Sequence, residues 1–473
     1  FQIYLSTRNP IANFAPDLCS RVTFVNFTIT PSSLQSQCLS QLLKKERPDI
    51  QQLQEEQLKL QGEFQAKLLA LEEDLLNTLN AAEGNLLDDT TVITKMQTIK
   101  DESSEVAAKM AETQEVQLKI DEVNDFYRTF AECLARLYFL LEGLGGLHFL
   151  YQFSLGYFLD LFDIVLNDNP RLDGVEDKTD RLGIMIDDLF ALVFRRVSRG
   201  LLDADNIVLA FRLGQIRLDA KGAASDENDL SVFLKGALQP KKDARIPDGV
   251  FNEEQTSRLK DILTLGGFCK LEDHMGEKSE QWKEFVAHNE PEKMLVADGD
   301  LAGWEGVGAE ATHAVSLRRM LILKALRPDR LLVAMKTWVE DVFSKGFMDQ
   351  PGPAEELANV VRSAVDPALR SESGPKEPLL LVNRPGYDVS NRVDDLAREL
   401  SPPGGLVSIA MGSPEGYNDA LRSVEVAAKK GSWVMIKNVH LATTWLEELE
   451  KLLHATPCND SFRLFLTTEF NDK

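Results

Sequence analysis

From residue 50 the chain carries apolar side chains at Ile50, Leu53, Leu60, Phe64, Leu68, Leu71, Leu75 and Leu79, with Gln, Glu and Lys filling most positions between. The spacings are mostly three, four or seven, the period of a helix with one apolar stripe. Gly84-Asn85 and Asp88-Asp89 interrupt the pattern, which resumes at Met96, Ile99, Val106, Met110, Val116, Ile120 and Val123. Two such helices around a short turn predict an antiparallel coiled-coil hairpin over about residues 44–125. Arms of ~30 residues reach roughly 45 Å at 1.5 Å per residue. An ordinary helical pair packed on its own domain is the other reading, and the narrow stripes with very polar opposite faces favour a projecting seam.

The flanks have other textures. Phe1–Leu5 and Val22–Thr30 are rich in β-branched and aromatic residues and predict strands, with Thr30 and Pro31 opening a helix. Residues 126–167 hold Phe126, Tyr127, Phe130, Tyr138, Phe139, Phe149, Tyr151, Phe153, Tyr157 and Phe158, which predicts helices buried on several sides. Helices are expected at about 178–200 and 204–218, a linker within 219–250, a looser helical stretch with Trp282 and Trp304, and one long helix over Ala314–Phe343. After Pro351-Gly352-Pro353, short apolar runs at Pro378–Val382, Val407–Ala410, Trp433–Ile436 and Phe462–Thr467 alternate with helical stretches at about 392–400, 416–430 and 444–454. That alternation predicts a parallel sheet with both faces covered. Beginning and ending in strand-like runs is what a piece of a longer chain is expected to show.

Composition narrows the chemistry. Of 473 residues, 44% are apolar and 27% charged, enough for about three units at roughly 150 residues each. The 75 acidic and 52 basic residues leave a net charge of −23, which disfavours nucleic acid, anionic lipid and other acidic surfaces as partners. Cys19, Cys38, Cys133, Cys269 and Cys458 show no C-x-x-C spacing, and the six histidines form no H-x-x-x-H pair, so no metal site is expected. No apolar run approaches the ~18 residues of a membrane span.

Several phrases resemble dynein heavy chains. They are Leu5-Ser-Thr-Arg-Asn-Pro10 with Pro16-Asp-Leu-Cys-Ser-Arg-Val-Thr-Phe-Val-Asn-Phe-Thr28, then Lys44-Lys-Glu-Arg-Pro-Asp49 with Leu58-Lys-Leu-Gln-Gly-Glu-Phe64 and Leu86-Leu-Asp-Asp-Thr90. Next come His148-Phe-Leu-Tyr-Gln-Phe-Ser154, Arg327-Pro-Asp-Arg-Leu-Leu332, and Gly412-Ser-Pro-Glu-Gly416 with Gly431-Ser-Trp-Val-Met-Ile-Lys-Asn-Val-His-Leu441. The resemblance, nearer the cytoplasmic than the axonemal class, implies mixed α and α/β architecture built of partial AAA+ modules. It assigns 1–34 to the end of the fifth module's large subdomain and 35–218 to its small helical subdomain. That subdomain includes the hairpin, called the buttress or strut. A linker and helical region at 219–313 then leads to the sixth module's large subdomain at 314–473, truncated at its C-terminus.

A working P-loop needs a second glycine and Lys-Ser/Thr to surround phosphates and magnesium. The corresponding loop, Asn383-Arg-Pro-Gly-Tyr-Asp-Val-Ser-Asn-Arg392, keeps Gly386 but lacks those groups, and Arg384 and Asp388 stand within it. The strand expected to end in Asp-Glu ends instead in Lys437-Asn438; Lys437 cannot bind a cation and Asn438 is no general base. No catalytic residue, and no ATP, ADP or magnesium bound by this segment, is therefore expected. The alternative is a nucleotide-binding regulatory module in its own right. Thr7 and Asn9 fit either a polar sensor or turn capping. Arg21 fits either an arginine finger to the preceding module's nucleotide or a salt bridge between modules.

The resemblance implies a cytoplasmic, cytoskeleton-associated, ATP-driven minus-end-directed microtubule motor, with nucleotide and magnesium bound elsewhere in the parent. Expected partners are the other AAA+ modules and the stalk coiled coil of the same heavy chain, and the microtubule through the parent only. The hairpin would lever the stalk, with Leu79, Leu86, Leu87 and Ile93 near its tip either meeting a partner or closing the turn on themselves.

Overall fold

A computed structural model describes residues 14–23, 25, 29–81, 97, 118, 120–220, 227–268, 270–297, 312–365, 373–412 and 414–469. By internal packing the chain divides into two compact units, Phe1–Met348 and Asp349–Lys473.

The first unit is helical. After the single turn α1 (Pro16–Cys19) come α2 (Pro31–Glu46), α3 (Pro48–Ala81) and α4 (120–143). Then follow α5 (Leu155–Asn167), α6 (Lys178–Ser198), α7 (Asp203–Ala220) and α8 (Glu227–Lys235). The remainder are α9 (Glu253–Ile262), α10 (Leu271–Glu277), α11 (Ser279–Ala287), α12 (Pro291–Ala297), α13 (Thr312–Leu326) and α14 (Leu331–Val342). Local sequence sets the starts. Thr30 and Ser33 form a reciprocal capping box with Pro31 in the first turn, Asn252 and Gln255 form another, and Ser154 and Asp177 accept hydrogen bonds from the first N–H groups of α5 and α6.

One hydrophobic core runs through α2 and α4–α14, containing Leu34, Phe130, Phe162, Phe190, Phe211, Trp282, Leu321 and Trp338. Close packing is visible at Gly214, where a Cβ would lie 2.7 Å from the Trp338 ring.

Two expectations need correction here. Of the strand expected over Val22–Thr30, residues 22, 23, 25, 29 and 30 are not in a strand, while Thr30 caps α2 as expected; residues 24 and 26–28, like Phe1–Leu5, lie outside the described residues. Within the stretch where a linker is expected, α8 forms, and its Phe233 packs beside Phe211 into the core. The long helix over 314–343 is broken at Arg327-Pro328, where proline removes an N–H and disfavours helix at the residue before it. Both pieces, α13 and α14, pack in the helical unit, so the division between units falls at Met348.

The second unit is a four-stranded parallel sheet ordered β1-β4-β3-β2, from β1 (Leu379–Asn383), β2 (Leu406–Ala410), β3 (Trp433–Lys437) and β4 (Arg463–Glu469). Four helices, α15 (Pro353–Val365), α16 (Ser390–Leu400), α17 (Pro414–Lys430) and α18 (Thr443–Ala455), cover it. Val434, Ile436, Leu464 and Leu466 pack with α17 and α18; Trp433, Met435 and Phe465 pack with α15 and α16. Side-chain alternation thus buries both faces of the central strands, and the strand positions agree with the apolar runs to within two residues.

Candidate functional site

The loop between β1 and α16 occupies the position at which a phosphate loop is expected. Pro385 and Gly386 form the middle of a turn, with Gly386 at φ +85° and the Tyr387 N–H donating to the Arg384 carbonyl at 3.1 Å. Proline followed by glycine at positive φ is the signature of a type II turn, so the retained glycine is explained by backbone geometry alone. Arg384 and Tyr387 are exposed.

Asp388 then turns back on the helix. Its Oδ1 accepts the Ser390 N–H at 2.8 Å, so the carboxylate occupies the positive end of α16. Lys437, at the end of β3, points its Nζ to within 3.8 Å of Asp388 Oδ2. Contact with the Ser390 hydroxyl and backbone N–H, together with the Lys437 charge, holds Asp388 below the ordinary carboxylate range. The two side chains are 64% and 29% exposed, so the pair contributes little to stability.

Asn438 follows Lys437 in the left-handed region, φ 61° and ψ 45°, where asparagine is tolerated better than most residues. Its N–H donates to Thr467 Oγ1 of β4 at 3.2 Å. The arrangement brings Asp388, Lys437 and Asn438 to the carboxyl ends of the strands, the usual ligand position of an open α/β sheet. It supplies one anion already neutralised by one cation. Among the described residues no group of three or more His, Cys, Asp or Glu stands close enough to hold a metal ion, and no helix is long and apolar enough to cross a membrane.

The other expected residues are dispersed. Arg21 is exposed in the turn after α1, with its N–H on the Leu18 carbonyl. Leu79 lies on α3, while Thr7, Asn9, Leu86, Leu87 and Ile93 lie outside the described residues. Helix α3 spans 34 residues, roughly 50 Å at 1.5 Å per residue, and Leu58, Leu69 and Leu76 along it are exposed.

A polar cluster at the root of α3 escaped the sequence reading. Arg181 grips Glu46 through two hydrogen bonds of 2.9 and 2.7 Å, and its Nη1 also donates to the Leu172 and Val175 carbonyls. The partners are 135 residues apart in sequence, and nothing local to either signals the pairing.

Comparison with known proteins agrees with this architecture. Residues 1–106 match the family described as ATP-binding dynein motor region, and residues 374–473 match the dynein heavy chain region D6 P-loop domain. The chain is 41% identical over 481 aligned positions to the cytoplasmic dynein heavy chain of Dictyostelium discoideum and 40% identical over 473 to that of Drosophila melanogaster. A ciliary dynein beta chain of Tripneustes gratilla is 28% identical over 475. These alignments cover 100%, 100% and 99% of this chain and 10% of each relative, so the chain spans about a tenth of the length of the curated relatives it matches. With two family regions in order and two-fifths identity sustained from end to end, the chain belongs to the dynein heavy-chain family.

Proposed function

We propose that this chain is a non-catalytic part of the AAA+ ring of a cytoplasmic, ATP-driven, minus-end-directed microtubule motor, and that its hairpin couples ring movement to the microtubule-binding stalk. In this reading the α/β unit is the large subdomain of the sixth module. The helical unit carries the small subdomain of the fifth, and α3 is the outgoing arm of the buttress. ATP, ADP and magnesium are bound by other modules of the parent.

The observation that carries the non-catalytic reading is the Asp388–Lys437 pair. Where a nucleotide's phosphates would take the helix N-terminus and a lysine, the chain's own carboxylate takes both. Incoming phosphate would meet a negative charge. No general base or magnesium-binding carboxylate stands at Lys437-Asn438 in place of the Asp-Glu pair. The length and exposure of α3 support the coupling reading, because a stiff rod rooted in a packed helical unit carries displacement outward.

Arg21 belongs to the same proposal as a cation directed to nucleotide on the preceding module; Arg21→Ala in the intact motor is expected to slow turnover there. For the α/β unit, the test is the melting temperature of the purified chain with and without Mg-ATP. A ligand bound only by the native state raises it, so no rise is expected, and a saturable rise would favour the regulatory-module reading.

A further inference from the structure

Two helix breaks in the first unit have the same chemistry and the same shape. Arg47-Pro48-Asp49 separates α2 from α3, and Arg327-Pro328-Asp329 separates α13 from α14. Arg47 sits at φ −142°, ψ 66° and Arg327 at φ −139°, ψ 67°. In each, the arginine N–H closes the preceding helix on the carbonyl four residues back, Leu43 at 2.8 Å and Leu323 at 2.7 Å. In each, the guanidinium makes a two-pronged bond to the aspartate two residues on, at 2.9 and 2.7 Å for Asp49 and 2.9 and 2.8 Å for Asp329. The arginine carbonyl then accepts the first N–H of the next turn, from Ile50 at 3.1 Å and from Arg330 at 3.0 Å.

The surroundings differ. Arg327 also donates to the Val286 and His288 carbonyls, whereas the joint at Arg47 is held by a second arginine, Arg181, on the adjacent Glu46. One backbone geometry in two settings means that the turn is set by its own three residues. Proline fixes φ and forbids a continuous helix, the residue before it is kept from αR, and a planar guanidinium–carboxylate fork closes the bend.

The anchor at Glu46 adds the connection to the body. Glu46 is 8% and Arg181 23% exposed at the side chain, and Arg181 links the end of α2 to α6 and to the 172–175 turn at once. Tyr127 of α4 is buried and feels the charges of Glu46, Arg47, Arg181 and Asp49. The end of α2, the start of α3 and α6 therefore share one group of polar side chains, whose charges act on Tyr127 of α4.

We propose that Arg47-Pro48-Asp49 is a rigid elbow pinned to α6 by Arg181, so that α3 follows the body instead of swinging from it. Arg181 is thus a positioning residue for the hairpin; the functional consequence rests on the coupling reading above. The test places two dyes by unnatural amino-acid incorporation at positions Glu63 on α3 and Ala191 on α6 of an intact heavy chain and measures the single-molecule energy-transfer distribution. A narrow distribution is expected in the parent, with loss of that narrowness in Arg181→Met and in the milder Glu46→Gln, and partial recovery in Arg181→Lys, which keeps the charge without the fork. Distributions that stay narrow in both Arg181→Met and Glu46→Gln overturn the proposal. Microtubule-stimulated turnover separates it from the underlying reading. Loss of stimulation with basal turnover kept, in the broadened variants, supports the elbow as the carrier of motion. Unchanged stimulation there, with stimulation lost on shortening the hairpin tip, overturns that role. Unchanged stimulation in both overturns the coupling reading itself.

Discussion

At the residue scale, the loop between β1 and α16 is accounted for by backbone geometry. Gly386 takes the positive φ that a type II turn requires, and Asp388 accepts the first N–H of α16. Because the folded pKa of Asp388 is depressed, its contribution is present above the ordinary carboxylate value and disappears as pH falls through the folded value. NMR titration is expected to find Asp388 ionising below a free aspartate, and Lys437→Met is expected to raise it. Two thiols offer a second check. Burial pushes Cys38 and Cys133 up to about 12, so at pH 8 both resist alkylation in the native chain, while exposed Cys19 reacts. Mass spectrometry after a brief pulse of iodoacetamide reads this directly. Gly214→Ala sets a methyl 2.7 Å from the Trp338 ring, a clash expected to cost ~1–3 kcal/mol of stability in a denaturant titration.

At the element scale, proline decides more than the apolar pattern does. Arg327 closes the break between α13 and α14 while donating to the Val286 and His288 carbonyls at the end of α11. Arg327→Met strips all of these bonds and is expected to cost about 2–3 kcal/mol, read as a lower denaturation midpoint. The apolar runs locate the four strands and the helices between them because the central strands β3 and β4 are covered on both faces and the edge strands β1 and β2, though partly exposed at Leu380, Val382 and Val407, keep mostly apolar runs. The same reasoning merges α13 with α14, since the stripe continues across Pro328, and it does not single out α8, whose Phe233 packs into a core built from residues distant in sequence. The phrases Glu46-Arg-Pro-Asp49 and Arg327-Pro-Asp329 were visible in the sequence, but their identical geometry and the Arg181 anchor were not. That information lies in backbone angles and in a contact between residues far apart in the chain.

At the scale of the whole molecule, the chain contains a helical unit bearing a long helix and an α/β unit in which Asp388 and Lys437 pair near the carboxyl ends of the strands. Neither unit displays a set of groups for hydrolysing nucleotide among the described residues, and the net charge of −23 opposes direct contact with an acidic filament. On the proposed reading, this chain acts through geometry transmitted to other parts of a larger protein. The most direct measurement is the microtubule-stimulated ATPase of an intact motor with the hairpin shortened at its tip, around Leu79–Ile93. Basal turnover is expected to survive while stimulation or affinity switching is lost. Stimulation and switching equal to those of the parent motor would contradict the coupling role.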